Sequence, residues 1–415
     1  MARASTFFIL LVVAVLVATV AAKINYRRFA THPVADGADY PIDREGTVFW
    51  GVGGTNIYFA GGVNTLYPTA TDFTAFTDIY TYDTANNKFI KAQVPLPGPS
   101  YFGAGGHVQG CLVIFSGRTN TQPTPWTYFS DLYVVNFTNS ITSPTVKLVT
   151  LKTPVTPRAF HSAAVFRNQL YVFGGVTGPD GSTSIERNEL FLAIDIRNGS
   201  VTKLPCDDSD CPASAPVSPA MYLDASEELI YVYSGMETDF QTWGDNSHIH
   251  IYDMIDKEWK DPVTVQYRNN FVFNGLSNTL QADNELLIIG GDHGATGSHA
   301  ESHMLDLMQN PPLVVAIEHG SLPQKCESQT FVGVDAKGNI WAYGGATYAN
   351  SSAPTAISYC HGVVTMQFYQ DPNKVGAGTK WFVGIAMLLV TAAIAGVTVY
   401  LYKKSSARRD YVEIP

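Results

Sequence analysis

The chain has 415 residues, of which 46% are apolar and 15% are charged, and its net charge is −10. This composition excludes an intrinsically disordered chain, because disordered chains lack the apolar surface needed for a core. It also argues against a nucleic-acid partner, because phosphate backbones bind to basic surfaces. The 22 tyrosines, 22 phenylalanines and 35 glycines favour many strands joined by tight turns.

The amino-terminal segment predicts a secretory signal peptide over residues 1–22. Arg3 supplies the positive charge, Phe7 to Val17 form the apolar run, and Val20 to Ala22 supply small residues for cleavage. An amino-terminal membrane anchor is the alternative, but the apolar run is short for a membrane span. We therefore expect the mature chain to begin at Lys23.

One motif occurs six times in the middle of the chain. Each copy is a run of apolar residues that ends in Gly-Gly or Ser-Gly, and the second glycines are 55, 58, 60, 56 and 54 residues apart. These second glycines are Gly62, Gly117, Gly175, Gly235, Gly291 and Gly345. Another apolar strand follows, often opened by an acidic residue, as in Asp78–Asp83. With a short strand before each motif and another after it, each repeat contains four strands.

Four antiparallel strands in each of six repeats are typical of a β-propeller. The pattern resembles the Kelch repeat, also present in the propeller of galactose oxidase, over about Gly46 to Phe368. The resemblance implies an all-β, six-bladed Kelch-type β-propeller within residues 23–368. The sixth repeat is the weakest, because Ile357–Val364 lacks the opening acid and the closing Asp. Few residues follow Phe368, so we predict that Ile24–Phe29 supplies the outer strand of the last blade.

The cysteines fit an oxidising compartment. Cys206 and Cys211 flank a short acidic loop, and Cys326 and Cys360 both fall in the last repeat, so these four are disulfide candidates. Cys111 begins an apolar strand and is expected to be a buried thiol, although the sequence does not determine the connectivity. Three Asn-x-Ser/Thr sequences predict N-glycosylation at Asn136, Asn198 and Asn350.

The order of strands predicts which surface is free to bind a ligand. The two–three and four–one loops share one face, whereas Asn136 and Asn198 lie in three–four turns on the other. The two–three loops carry Tyr67, Phe73, Trp126, Tyr128, Phe240 and Trp243. Aromatic residues in long polar loops are typical of a binding surface. They can also pack as small local cores, and Asn350, on the same face, weakens the binding hypothesis.

No group of residues indicates catalysis. A galactose oxidase activity would require a copper site with two Tyr, two His and a Tyr–Cys crosslink, and only Tyr359-Cys360-His361 resembles part of it. His248 and His250 point to one side of a strand, but no close Cys or carboxylate completes a zinc site. We therefore predict a protein that is not an enzyme and has no metal or cofactor.

The carboxyl-terminal segment predicts a type I single-pass membrane protein. After a juxtamembrane linker at 369–380, residues 381–402 carry no charge and are long enough to cross a bilayer core of about 30 Å. The basic residues that follow place the tail, 403–415, in the cytosol.

Within the tail, Tyr411 and Ile414 resemble the tyrosine-based sorting motif that clathrin adaptors bind. This motif favours a location at the cell surface or in endosomes and lysosomes. The alternative is a tail whose basic residues only contact anionic lipids.

Together these features predict a membrane-anchored extracellular or lumenal propeller. We expect it to act as a receptor or adhesion module that binds a protein or glycan through its two–three loops. The alternatives are a carbohydrate-active ectoenzyme at the channel mouth, or an endosomal or lysosomal protein sorted through Tyr411.

Overall fold

A computed structural model describes residues 25–32, 39–42, 44, 46–50, 52–64, 74–119, 127–178, 183–206, 210–212, 216–233, 235, 247–267, 278–282, 285–289, 302–306, 313–316, 331–335, 340–344, 346–348, 357–359 and 363–370. The chain divides into two units, Arg28–Gln367 and a second made of Met1–Arg27 with Phe368–Pro415. In the second unit, the structure describes residues 25–27 and 368–370, which are the ends of two strands.

The regular secondary structure of the described residues consists of β-strands and one 3₁₀ turn at Arg187–Glu189. In chain order the strands are β1 (Asn25–His32), β2 (Val48–Trp50), β3 (Val52–Gly54), β4 (Asn56–Ala60), β5 (Val63–Asn64), β6 (Thr74–Ala75), β7 (Ile79–Asp83), β8 (Lys88–Lys91), β9 (Ala104–Val108), β10 (Cys111–Thr119), β11 (Thr127–Asn136), β12 (Thr145–Val149), β13 (Ser162–Phe166), β14 (Gln169–Phe173), β15 (Val176–Thr177), β16 (Thr183–Ser184), β17 (Phe191–Asp195), β18 (Val201–Lys203), β19 (Ala220–Asp224), β20 (Leu229–Tyr233), β21 (His248–Asp253), β22 (Glu258–Thr264), β23 (Gln266–Tyr267), β24 (Asn278–Ala282), β25 (Glu285–Ile289), β26 (Ser302–Asp306), β27 (Leu313–Ala316), β28 (Phe331–Asp335), β29 (Ile340–Tyr343), β30 (Ala346–Tyr348), β31 (Ile357–Tyr359) and β32 (Val363–Gln370).

None of the helical structure in these ranges is long and apolar enough to cross a membrane. The predicted signal peptide, 1–22, and the predicted span, 381–402, lie outside the described residues.

Each of the first four repeats forms one antiparallel four-stranded sheet. The strand orders are β2-β4-β7-β8, β9-β10-β11-β12, β13-β14-β17-β18 and β19-β20-β21-β22. Sequence order and spatial order coincide in each sheet, which confirms the all-β class and the four strands predicted for these repeats. In the second strand of the first, third and fourth sheets, the same three positions of five are buried.

The last two repeats form five-stranded sheets of orders β24-β25-β26-β27-β23 and β3-β28-β29-β32-β1. Strand β1 occupies the outer position of the last sheet, as the sequence predicted for the segment before the first repeat. The segment Ile357–Val364, expected to supply the third strand of the last repeat, is divided between two strands. Strand β31 pairs with β30 in a separate ribbon, and β32 is the strand that extends the sheet beside β29.

Strands adjacent to each other in neighbouring sheets form a cycle within Arg28–Gln367. The first strands contact one another in the order β2, β9, β13, β19, β24 and β28, and β28 contacts β2 in turn. Two of these strands carry small residues, Ala104–Val108 and Ser162–Phe166, which allow close approach.

The core lies between neighbouring sheets, not within one sheet. Val113 and Phe115 of the second sheet pack against Leu170 and Val172 of the third. Phe191 of the third sheet similarly contacts the aromatic residues of the fourth. The apolar side chains of the first four sheets are therefore buried only when a neighbouring sheet is folded beside them.

The glycine pairs are required where a strand leaves its sheet. Gly175 has a φ of 95°, and its N–H donates to the Pro216 carbonyl oxygen at 3.0 Å. A Cβ at this position would lie 2.8 Å from the Ala159 carbonyl oxygen. Glycine is the residue that fits both the left-handed backbone and the close approach.

We expect Gly175→Ala to lower the free energy of unfolding by about 2 kcal/mol or more, since a left-handed residue with a Cβ costs about 1–2 kcal/mol before any steric overlap. Denaturant unfolding of the two proteins measures this difference. The matched control is Gly54→Ala, where the nearest atom to an added Cβ is 3.8 Å away. Equal losses in both variants would contradict the prediction.

Candidate functional site

A chain of backbone hydrogen bonds links the four–one loops of the first four repeats. Two residues before the first strand of each sheet, the backbone is left-handed at Gly46, Phe102, Phe160 and Ser218. The N–H of Phe102 donates to the Gly46 carbonyl at 2.9 Å, that of Phe160 to Phe102 at 2.8 Å, and that of Ser218 to Phe160 at 2.6 Å. These loops lie at the same strand ends as the two–three loops, and together we call them the loop face.

Two of these linking residues are aromatic and stack on the loop face. The rings of Phe102 and Phe160 have centroids 4.2 Å apart and are inclined by only 22°. The Arg118 guanidinium lies over both rings, with its central carbon 5.0 Å from the Phe102 centroid and 4.6 Å from that of Phe160. The same carbon is 5.3 Å from the Tyr101 ring. Such cation–π contacts fix the guanidinium between the second and third sheets.

Arg118 occupies a position that is apolar in the neighbouring repeats. It follows the second glycine of its motif directly, where the first and third repeats have Val63 and Val176. These two valines are buried, at 1% and 0% exposure, whereas Arg118 is half-buried. A cation therefore replaces a core residue in the second repeat alone among these three.

The second repeat also extends further onto the loop face than its neighbours. Strands β10 and β11 continue past an irregularity between Phe115 and Gly117, and Arg118 then pairs with Tyr128. In the first and third repeats the corresponding loops instead form separate short ribbons, β5–β6 and β15–β16. Tyr128 packs beside the Phe160 cluster. The continuous hairpin thus holds Arg118 and Tyr128 on a rigid support.

A buried arginine links the segment before the first repeat to the third strand of that repeat through hydrogen bonds and an ion pair. Arg44 is 1% exposed and donates to the Gly61 carbonyl oxygen at 3.0 Å. Its guanidinium also forms a two-point ion pair with the Asp78 carboxylate. Asp78 is the acidic residue that precedes the third strand, so its role in this repeat is structural.

The third repeat has an equivalent arginine. Arg158 is fully buried and donates to the carbonyl oxygens of Gly174 at 3.3 Å and Glu189 at 3.0 Å. Burial would raise the pKa of the Glu189 carboxyl, but hydrogen bonds from Thr156 and Lys203 outweigh it and lower the pKa to about 2. The carboxylate therefore stays charged beside a buried guanidinium.

A histidine lies buried directly after the stacked Phe160. The ring of His161 meets the edge of Phe115, with centroids 5.5 Å apart, and the residue is 4% exposed. Burial, assisted by the positive charge of Arg158, lowers the pKa of His161 to about 3, although the nearby Phe115 carbonyl favours the protonated form. The imidazole is therefore neutral at physiological pH.

The KLHDC2/KLHL20/DRC7 Kelch-repeats domain family matches residues 47–271, which are more than half of the chain. The chain belongs to this Kelch-repeat family. The matched residues include the first four sheets and every member of the hydrogen-bonded series except Gly46. No curated protein matches the chain.

Of the six aromatic residues predicted to bind a ligand, Tyr128 lies in this Kelch loop face beside Arg118. The others, Tyr67, Phe73, Trp126, Phe240 and Trp243, fall outside the described residues. The same holds for Cys326, Cys360, Asn350, Tyr411 and Ile414. Their predicted roles stay predictions.

The two cysteines flanking the acidic loop pair as one of the predicted disulfides. Cys206 and Cys211 are bonded with Cα atoms 5.2 Å apart and lie in the core between the third and fourth sheets. Cys111, predicted to be a buried thiol, is free but only partly buried, and its pKa is raised by that burial. Asn198 lies in a three–four turn, and Asn136 is the last residue of β11, directly before one.

The histidines considered as metal ligands bond elsewhere. The His250 imidazole bonds the Asp210 carbonyl at 2.8 Å, and that of His248 bonds the Ser247 hydroxyl at 2.9 Å. Across the part of the chain described by the structure, no three His, Cys, Asp or Glu side chains are grouped to hold a metal ion.

Sequence reasoning missed Phe102, Phe160, Arg118 and His161. The signal was present, because aligning the repeats on their second glycines shows where Arg118 replaces a valine. The alignment could not show that the aromatic rings of two neighbouring four–one loops stack beneath it, since that contact joins residues 58 positions apart.

The Kelch sheets should lose stability as the pH falls below 6.5, partly because of His161. Its imidazole protonates near pH 6.5 in the unfolded chain and near 3 in the folded one, so its contribution is complete above 6.5 and decreases by about 1.4 kcal/mol per pH unit below it. We expect His161→Gln to reduce this slope in urea unfolding between pH 7.5 and 5. His248→Gln, at a partly exposed site, is the control, and identical slopes in all three proteins would refute the assignment.

Proposed function

We propose that this Kelch-repeat chain is a six-bladed propeller, carried on a single transmembrane helix at 381–402, that binds a protein or glycan through its loop face. The cycle of contacts among the six first strands supports the blade number. The uncharged segment followed by basic residues supports the membrane anchor. The body of the protein is then extracellular or lumenal.

The observation that carries the binding proposal is the replacement of a buried valine by Arg118. The valines at the equivalent positions, Val63 and Val176, are almost fully buried, whereas Arg118 is only half-buried and stacks on aromatic rings. Arginine and tyrosine are enriched among residues that dominate binding energy. Arg118 and Tyr128 face each other across a hairpin pair, which makes them suitable as a preorganised contact.

Kelch domains in general bind proteins, which favours a binding role over an enzymatic one. The described part of the loop face offers a rigid frame of hydrogen-bonded four–one loops, and the sequence predicts long two–three loops beside it. A ligand that spans several two–three loops would contact side chains from several repeats. We therefore place the ligand over Arg118, with Trp126 and the other loop aromatics as further contacts.

We expect Arg118→Ala to weaken ligand binding about tenfold or more, as truncation of a central contact commonly does. The full-length protein, purified in detergent, is screened against cell-surface proteins and a glycan array to obtain a ligand. Affinities of the parent and the variants are then compared by surface binding.

The matched control is Arg167→Ala, an exposed arginine in a one–two turn on the opposite face that pairs with Glu228. It should bind like the parent. Arg118→Lys, which keeps the charge but not the planar stacking group, separates recognition from charge alone. Full binding by a folded Arg118→Ala variant, or equal losses in both alanine variants, would refute the location.

The proposed membrane topology and sorting motif have their own test. Tyr411→Ala should increase the amount of protein at the cell surface, because an adaptor-binding tail would no longer be internalised. Surface biotinylation measures the fraction. Val412→Ala, at a position that the motif leaves free, is the control, and an unchanged surface fraction in both variants would exclude sorting through Tyr411.

A further inference from the structure

Two three–four turns present asparagine side chains in the same local geometry. In the third repeat, the Asn198 side-chain oxygen accepts the N–H of Ser200 at 2.8 Å. In the second repeat, the Asn136 side-chain oxygen accepts the N–H of Thr138 at 2.8 Å. Each bond reaches only two residues along the chain, so it needs no tertiary contact to form.

This geometry leaves the amide nitrogens available. The Nδ2 atoms of Asn136 and Asn198 donate no hydrogen bond to any described part of the protein. By contrast, the Nδ2 of Asn86, in the equivalent turn of the first repeat, donates to the Asp83 carboxylate at 2.7 Å. A substituent on Nδ2 would therefore break no bond at the first two sites.

The surroundings of both sites provide room for a large substituent. Asn198 is exposed and Asn136 is partly exposed. The Asn198 turn is rigid, since the Asp195 carboxylate accepts the N–H of Arg197 at 2.9 Å and pairs with its guanidinium at 2.8 Å. Each asparagine has a Ser or Thr two residues later, which Asn86 lacks.

We propose that Asn136 and Asn198 are both N-glycosylated. An oligosaccharide is transferred from a lipid-diphosphate-linked donor to each Nδ2. The bond from sugar C1 to Nδ2 forms, the bond from C1 to the diphosphate oxygen breaks, and Nδ2 loses a proton as the lipid diphosphate leaves. The transfer requires entry into the secretory pathway, as in the proposed function.

Both glycans would lie on the same side of their sheets. The segment after β12 contacts the three–four turn of the third repeat, since the Lys152 N–H donates to the Gly199 carbonyl at 2.8 Å and its ammonium to the Ser200 hydroxyl at 3.1 Å. Both sites lie on the three–four side, opposite the loop face. Glycans here would cover the side of the second and third sheets that the ligand does not use.

The test is mass spectrometry of the full-length protein from secretory-competent eukaryotic cells. Peptides are compared before and after an enzyme that cleaves N-glycans and converts the attached Asn to Asp. We expect this conversion at Asn136 and Asn198. Thr138→Ala and Ser200→Ala keep the asparagine and the backbone N–H that its side chain bonds, so each variant should lose one glycan and retain its melting temperature.

Asn86→Gln is the matched control and should leave the mass of the attached carbohydrate unchanged. Unmodified Asn136 and Asn198 peptides in the folded protein would overturn the proposal, and one unmodified site would overturn it there. If neither site carries carbohydrate but binding still depends on Arg118, this proposal fails and the binding proposal stands. If both sites carry carbohydrate but binding does not depend on Arg118, the binding proposal fails and this one stands.

Discussion

The first four sheets of this protein have apolar side chains on faces that a neighbouring sheet covers. A four-stranded sheet alone would expose the apolar side chains on both of its faces. The repeats therefore fold as an array in which one unit supplies part of the next unit's core. The contact of Phe115 with residues of the following sheet illustrates this dependence. The small residues of β9 and β13, and the hydrogen bonds through Phe102 and Phe160, allow neighbours to approach closely enough.

That same constraint restricts where function can reside. Positions that every repeat uses for packing are unavailable, because changing one disturbs two sheets. Binding groups can be added where a loop leaves the array, and the proposed contact at Arg118 lies on such a hairpin in the second repeat. The stacked Phe102 and Phe160 then have two roles, since they join neighbouring repeats and support the guanidinium.

Among the described residues, the two fully buried arginines each have several partners. Arg44 and Arg158 each donate to a backbone carbonyl of the glycine motif and pair with the acid that opens the third strand. Removing one partner from such a pair leaves a buried charge, which is strongly destabilising. His161, next to one of these arginines, remains neutral because protonation would add a second buried positive charge.

The sequence by itself determined the repeat, its four strands, the all-β class and the Kelch resemblance, because regular spacing of glycine and apolar residues is a local property of the chain. It also identified the three–four turns that hold Asn136 and Asn198. Only the tertiary structure decided why Asp78 opens a strand, since its partner Arg44 lies in a preceding loop. It alone brought Arg118 over Phe102 and Phe160, because contacts between repeats depend on how sheets stack, and no pattern within one repeat records that.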